Sequence, residues 1–144
     1  MGLNWPKPGP SFVPAYQSSG LPYVTRSTTT EVGTSAPIKH SFPYVTRFFI
    51  VNNIGDNDLR IGFTRNGVRS NPNANYFVLG RTSGSVRLEL RCKDLFFLGE
   101  GNATGFELIA GLTNIRADQF PRLTGSNISV GFGAPVTSSW PGVG

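Results

Sequence analysis

Few residues of this chain could carry acid–base or metal chemistry. His40 is its one histidine, and metal sites built on two or more histidines are therefore excluded. A serine triad would have to use His40 as its base, yet no nucleophile motif such as G-x-S-x-G occurs. Lys39 precedes it and disfavours the imidazolium that a general base must form. The position between Pro37 and Pro43 predicts a histidine in a surface loop.

The carboxylates have the spacing of turns. Asp56 and Asp58 stand in a Gly-Asp-Asn-Asp sequence, where such side chains bond to the nearby backbone. The spacing of an EF-hand calcium loop is absent. The Gly-Glu-Gly at residues 99–101 lacks the rest of a nucleotide fingerprint. The sequence thus predicts a protein that is not an enzyme, with no catalytic residue, metal, cofactor or small-molecule substrate.

Thiol chemistry depends on a single residue, Cys92. One cysteine can form neither an internal disulfide nor a thiolate zinc site. Cys92 falls on the apolar face of an alternating segment, which predicts a buried and unreactive thiol. The longest apolar runs, Phe48–Val51 and Leu95–Leu98, are far shorter than the roughly 20 residues that span a bilayer. We therefore expect no direct membrane insertion.

The composition favours a packed domain with a covered surface. Charged residues make up 15% of the 144 residues, against about 25% in average proteins. There are 13 Lys and Arg and 8 Asp and Glu, for a net charge of +5, and ten of the cations are arginine. Arginine is enriched at protein interfaces. The shortage of charge indicates that neighbours cover much of the surface.

The elements that position these residues are short strands. In Ser85–Lys93, apolar and charged residues alternate, which predicts a strand with one core face and one solvated face. Asn66-Gly67 is a hairpin-turn signal, and no 3.6-residue period runs long enough for a substantial helix, Asn114–Gln119 allowing one turn at most. About eight strands are expected, as in an all-β sandwich. The others are Tyr23–Val32, Tyr44–Asn52, Leu59–Thr64, Tyr76–Leu79, Leu95–Leu98, Gly105–Leu112 and Ile128–Phe132.

Residues 1–22 form a separate, proline-rich segment. Five prolines between Pro6 and Pro22 exclude a helix and favour extended geometry. Trp5, Phe12 and Tyr16 are spaced along it, and a disordered tail seldom carries so many aromatics. We expect an extended N-terminal arm over 1–22 that docks on its own domain or on a neighbour, followed by one domain over 23–144.

One pentapeptide occurs twice, at residues 22–26 and 43–47, as Pro-Tyr-Val-Thr-Arg. Two copies are too few for a solenoid. They are either two strands that converged on a β-favouring sequence or two strands that begin at equivalent edges of facing sheets. Neither interpretation implies chemistry.

Two binding functions stay open as alternatives. The pI of about 9.9 and 12% aromatic residues are compatible with a basic β-barrel that binds nucleic acid. The arginines are dispersed and no RNP motif occurs, and one ring of each pair Phe48-Phe49 and Phe96-Phe97 is expected in the core. Nucleic acid is therefore the less favoured partner. A carbohydrate-binding attachment domain would be indicated by exposed aromatics on loops such as Asn71–Tyr76.

Several segments resemble a known family. The leader Leu3-Asn4-Trp5-Pro6-Lys7-Pro8-Gly9-Pro10-Ser11-Phe12-Val13-Pro14-Ala15-Tyr16-Gln17 is similar to the start of the vertex (penton) capsid proteins of nucleocytoplasmic large DNA viruses. So are Lys93-Asp94-Leu95-Phe96-Phe97, the segment Gly105–Thr113, Phe120-Pro121 and Leu123–Asn127. The resemblance covers roughly Leu3 to Gly131.

This resemblance implies a single jelly roll of eight antiparallel strands and a structural role in the virion. Five copies would form a homopentamer, the penton, at each icosahedral fivefold vertex, as a minor capsid protein beside neighbouring major and minor capsid proteins. Assembly would take place in the host cell, in the cytoplasm. A closed ring repeats one heterologous contact, and we expect the subunit interface to include the arm and two arginines, namely Trp5, Phe12, Tyr16, Arg26 and Arg47.

Overall fold

The fold is all-β. A computed structural model describes residues 21–28, 32–69, 74–81 and 84–120, together with the backbone of 122–124 and 137–139. The principal strands are β1 (Leu21–Arg26), β2 (Ile38–Ser41), β3 (Tyr44–Asn53), β4 (Leu59–Gly62), β5 (Tyr76–Leu79), β6 (Ser85–Leu88), β7 (Asp94–Gly99) and β8 (Phe106–Arg116). A one-turn 3-10 helix, Ala117–Gln119, follows β8. The short strands β9 (Arg122–Thr124) and β10 (Thr137–Ser139) pair with each other in parallel.

The eight principal strands form two four-stranded antiparallel sheets. Sheet 1 has the order β1-β8-β3-β6 and sheet 2 the order β2-β7-β4-β5. The pairs β1 with β8, β2 with β7, β3 with β6 and β4 with β5 are nested. Every connection between consecutive strands passes from one sheet to the other, except that between β4 and β5. The eight principal strands are thus arranged as one long folded hairpin, in which the first of them, β1, pairs with the last, β8.

The core lies between the inner faces of the two sheets. Alternate residues of each strand point inward because a strand has a side-chain period of two. Phe97 of β7 and Phe106 of β8 stack across the two sheets with ring centroids 4.0 Å apart. Phe49 and Phe97 are fully buried, so the expectation of one core ring in each phenylalanine pair is confirmed. Burying such a side chain contributes about 1.5–3 kcal/mol to the free energy of unfolding.

The strand predicted over Ser85–Lys93 is wrong in its second half. β6 ends at Leu88, and Leu90 is 42% exposed. Residues 89–93 leave sheet 1 and cross to β7 in sheet 2. The hydroxyl of Thr46 in β3 donates to the Leu90 carbonyl (2.7 Å) and accepts from the Cys92 N–H (3.0 Å). A side chain therefore satisfies backbone groups that a longer strand would have paired, which the local alternation could not reveal.

The hairpin turn predicted at Asn66-Gly67 is also wrong. These residues lie in a five-residue helix, α1 (Arg65–Arg69). The Thr64 hydroxyl accepts from the Gly67 N–H at 3.0 Å, and its carbonyl accepts from the Val68 N–H. Thr64 thus caps the helix, and this cap outweighs the turn preference of Asn-Gly. Among the described residues, no helix has the length and apolar character that a bilayer span requires.

The two pentapeptide copies lie in the same sheet. β1 and β3, which contain them, flank β8 on its two sides in sheet 1, so the interpretation with facing sheets is wrong. Their environments differ: Val24 is 71% exposed whereas Val45 is fully buried. β1 begins at Leu21, so that the last two residues of the predicted arm belong to a strand.

Other strand boundaries differ less. β1 ends at Arg26, within the predicted strand Tyr23–Val32, and β5 has the predicted bounds Tyr76–Leu79. The strand predicted at Ile128–Phe132 lies outside the described residues.

Candidate interaction surface

The outer face of sheet 1 carries a hydrogen-bonded polar row that crosses all four strands. Arg26 of β1 forms an ion pair with Glu107 of β8 at 3.4 Å. Asn52 of β3 donates to Glu107 Oε2 at 3.3 Å and accepts from the hydroxyl of Ser85 in β6 at 2.6 Å. The register places these four residues opposite one another. The row links the strands laterally and leaves one guanidinium, 65% exposed, at the sheet edge.

Beside this polar row lies a patch of apolar side chains. Val24 of β1 is opposite Ile109 of β8, which is opposite Ile50 of β3. Val24 is 71% exposed and Ile109 41%. Pro22 of β1 and Phe48 of β3 extend the patch, since both lie opposite Gly111 of the central strand β8. We call Pro22, Val24, Phe48, Ile50 and Ile109 the outer patch.

Close packing fixes the ring of Phe48 in this patch. A Cβ on Gly111 would lie 2.4 Å from Phe48 Cε1, so the ring rests directly on the glycine backbone. The Arg87 guanidinium of β6 lies over the ring, 4.8 Å from its centroid. A cation–π contact of this kind orients the ring. The exposed apolar surface is consequently concentrated on β1 and β8.

The outer face of sheet 2 is different because α1 covers part of it. Val68 is fully buried, and a Cβ on Gly62 of β4 would lie 3.2 Å from the Val68 Cβ. Gly62 points outward, since Leu59 and Ile61 of the same strand are buried in the core. On the same face, Arg60 of the interior strand β4 pairs with Glu100, and its guanidinium lies 4.5 Å over the ring of Tyr76 in the edge strand β5. The hydrogen bond from Arg60 to Glu100 raises the pKa of the guanidinium, more than burial lowers it.

His40 is not in a loop, as predicted, but in strand β2. Its inward position follows from pairing with Leu95 of the buried β7. The ring packs against Tyr23 and Phe42, at centroid distances of 5.5 and 5.1 Å. Its Nε2 is buried without a hydrogen-bond partner among the described residues. Burial lowers the pKa of His40, and the nearby Asp94 carboxylate opposes this in part.

The buried thiol predicted for Cys92 is confirmed. Cys92 is 2% exposed, and its Sγ lies 3.4 Å from the Thr46 hydroxyl. Burial raises the pKa of the thiol to about 12. Because the thiolate is the reactive form, this group is inert at neutral pH in the folded protein.

The aspartates of the Gly-Asp-Asn-Asp sequence take part in the bend between β3 and β4. Asp58 accepts from the Arg81 N–H at 2.8 Å through its carboxylate, and the Asp56 N–H donates to the Ala103 carbonyl. The buried Asn53 donates to the carbonyls of Asn57, Leu79 and Gly80. Among the described residues, no group of three or more His, Cys, Asp or Glu side chains is placed to hold a metal.

The predicted interface residues are only partly within the described chain. Arg26 lies at the edge of sheet 1, and Arg47 is exposed in β3 of the same sheet. Trp5, Phe12 and Tyr16 lie outside the described residues. The sequence did not predict that Val24 and Ile109 are exposed, because a valine or isoleucine in a β-rich segment is expected in the hydrophobic core. The one available signal was that Val24 alternates with Tyr23 and Thr25, which indicates opposite faces.

Comparison of the chain with protein-family models, with curated proteins and with solved structures finds no match.

Proposed function

We propose that this chain is a structural capsid protein with a single jelly-roll fold, five copies of which form the penton at an icosahedral fivefold vertex of a large DNA virus. The observation that carries the proposal is the strand order. The two sheets have the orders β1-β8-β3-β6 and β2-β7-β4-β5, so the first strand pairs with the last, the second with the seventh, and so on inward. This order is the one expected when an eight-stranded hairpin folds into the two sheets of a jelly roll. Viral capsid domains are one of the main uses of that fold.

The exposed surface of sheet 1 supports the proposal that this protein is a subunit of a larger assembly. The outer patch exposes Val24 and Ile109 side by side, and contiguous apolar patches mark interaction sites. Edge strand β1, which carries Val24 and Arg26, is also where the arm joins the domain. A homopentamer that uses Trp5, Phe12, Tyr16, Arg26 and Arg47 would place this edge against a sister subunit. Neighbouring major and minor capsid proteins would then surround the ring.

The two alternatives find less support on the described surface. Arg26, Arg60, Arg87 and Arg116 each pair with a carboxylate, which reduces the positive potential available to phosphates. For carbohydrate binding, Tyr76 was the expected loop aromatic. It lies in β5, and the Arg60 guanidinium covers its ring face.

The test is the mass of the purified chain in solution, measured by sedimentation at low and high salt with and without single-stranded DNA. We expect a species of five times the 15.5 kDa chain mass, alone or after addition of the neighbouring capsid proteins, and no change on adding DNA. A monomer that binds DNA with a steep salt dependence would overturn the proposal in favour of nucleic-acid binding. A monomer with neither property that binds a glycan array would favour attachment.

A further inference from the structure

The outer patch lies close to the point where the chain enters the domain. Leu21 begins β1, and Val24 is three residues further along the same strand, a distance of about 10 Å at 3.3 Å per residue. On β8, Ile109 lies seven residues before Arg116, where the strand ends, about 23 Å away by the same rise. The N-terminal segment can therefore reach the patch far more readily than the C-terminal one.

The length of chain before Leu21 matches this distance. Of the three arm aromatics, Tyr16 is the nearest to Leu21 along the chain, and the linker between them is Gln17-Ser18-Ser19-Gly20. Small polar residues with glycine allow the chain to reverse direction. For a linker of this composition and n = 5 residue steps, the root-mean-square end-to-end distance of 5–6 Å × √n is about 12 Å. A tether whose length matches the span gives the highest effective concentration.

We propose that the ring of Tyr16 packs in cis on the outer patch of its own sheet 1, over Val24 and Ile109. A tyrosine fits there because it buries an apolar ring while its hydroxyl reaches water or the polar row, where Arg26, Glu107 and Asn52 offer partners. Trp5 and Phe12 are further from Leu21 and remain available to a neighbour, so that Tyr16 alone among the proposed interface residues of the arm would contact its own subunit. The inference does not depend on the proposed capsid role.

The test uses thiol reactivity in the full-length chain, since Cys92 is buried and inert in the folded state. Val24→Cys places a thiol in the patch. Val78→Cys is the matched control, because Val78 is 49% exposed on an outer strand face of sheet 2. We expect Val24→Cys to react with a maleimide about three- to ten-fold more slowly in the chain with Tyr16 than in the same chain with Tyr16→Ala, because a ring that covers the thiol for most of the time leaves it accessible only in the remaining fraction. The rate of Val78→Cys should not change.

A cross-linking experiment distinguishes the occupant. Oxidation of a chain with Tyr16→Cys and Val24→Cys should give a disulfide within one chain at every protein concentration, seen as a monomer in non-reducing electrophoresis that has lost two free thiols and keeps only that of Cys92 when titrated after unfolding. The pair Tyr16→Cys with Val78→Cys should not cross-link. A cross-linked dimer, or a Val24→Cys rate that is independent of Tyr16, would overturn the proposal. Slow labelling of Cys92 in each variant verifies that the domain is folded. The outcome is independent of the pentamer test, because a contact within one chain can form in a monomer and in a pentamer alike.

Discussion

At the scale of single residues, His40 is the group whose environment departs most from the expectation for its sequence context. Its ring fills a space between Tyr23 of sheet 1 and Phe42 after β2, so it joins the edges of both sheets. The charged groups nearby are Asp94 on β7 and Lys39 on β2, which pair with each other at 3.7 Å. Ser41 also donates to Asp94 at 2.7 Å. The imidazole thus faces aromatic rings and an already engaged carboxylate.

This environment makes stability depend on pH. Because the pKa of His40 is lowered in the folded state from its ordinary 6.5, the unfolded chain binds the proton more readily. The contribution of His40 to stability is therefore complete above pH 6.5 and is lost as the pH falls from 6.5 through the lowered pKa. His40→Phe, which suits the aromatic cluster, should remove this dependence.

Urea denaturation of both proteins between pH 5 and pH 8 provides the measurement. The difference in free energy of unfolding between wild type and His40→Phe should change across this range, while carboxylate titrations cancel in the difference. A difference that stays constant with pH would contradict the assignment.

At the scale of elements, the junction of β3 with the crossing segment 89–92 depends on Thr46. The register between β3 and β8 is irregular on both sides of this residue. The Thr46 hydroxyl supplies hydrogen-bond partners to backbone groups of the crossing segment, because it donates to the Leu90 carbonyl and accepts from the Cys92 N–H. Likewise, the hydroxyl of Thr113 in β8 donates to the backbone carbonyl of Val45 in β3 at 2.7 Å. Two buried threonines thus replace ladder bonds where the sheet bends.

Thr46→Val should lower the free energy of unfolding by about 1–3 kcal/mol, the cost of leaving buried backbone groups without a partner. It should also speed the reaction of Cys92 with a thiol reagent, because the segment that contains Cys92 loses its hydrogen bonds to the Thr46 hydroxyl and keeps only backbone bonds such as that from the Thr46 N–H to the Cys92 carbonyl. Thr25→Val is a matched control, since it changes the corresponding threonine of the other pentapeptide at a half-exposed position. Equal effects of the two substitutions, measured by denaturation and thiol labelling, would refute this role of Thr46.

At the scale of the whole molecule, the outer faces of the two sheets differ in what covers them. Sheet 2 packs α1 and Val68 onto its outer face. Sheet 1 leaves the outer patch beside a polar row that spans its width. The described chain covers part of the outer face of sheet 2 with α1, whereas among the described residues nothing covers Val24 and Ile109 in the outer patch of sheet 1.

Assembly should therefore depend on the arm. Under the proposed capsid role, a chain that begins at Leu21 should remain folded but fail to form the proposed pentamer, because it would lack the aromatic contacts that we propose between the arm and a neighbour. The double substitution Trp5→Ala and Phe12→Ala should have the same effect, whereas Tyr16→Ala should weaken assembly less. Sedimentation gives the masses and urea denaturation verifies the fold. Unchanged assembly of the truncated chain would contradict a role for the arm.

Local sequence determined the strands and much of their burial. The β-rich runs predicted β3, β5, β7 and β8 to within a few residues, apart from the C-terminal extension of β8, because a period of two is a local property. The apolar environment of Cys92 followed from the same alternation. However, the alternation of apolar and charged residues continues through Leu90, although strand β6 ends at Leu88.

Only the tertiary structure decided which strands meet and which faces point outward. Tyr23 of β1 pairs with Ala110 of β8, far away in the chain, and no local pattern encodes such a partner. The identical pentapeptides show the consequence, since Val24 lies on an edge strand in solvent and Val45 lies in the core. Burial of an apolar residue depends on what the rest of the chain places over it, and this nonlocal packing put His40 between two sheets and left Val24 and Ile109 exposed.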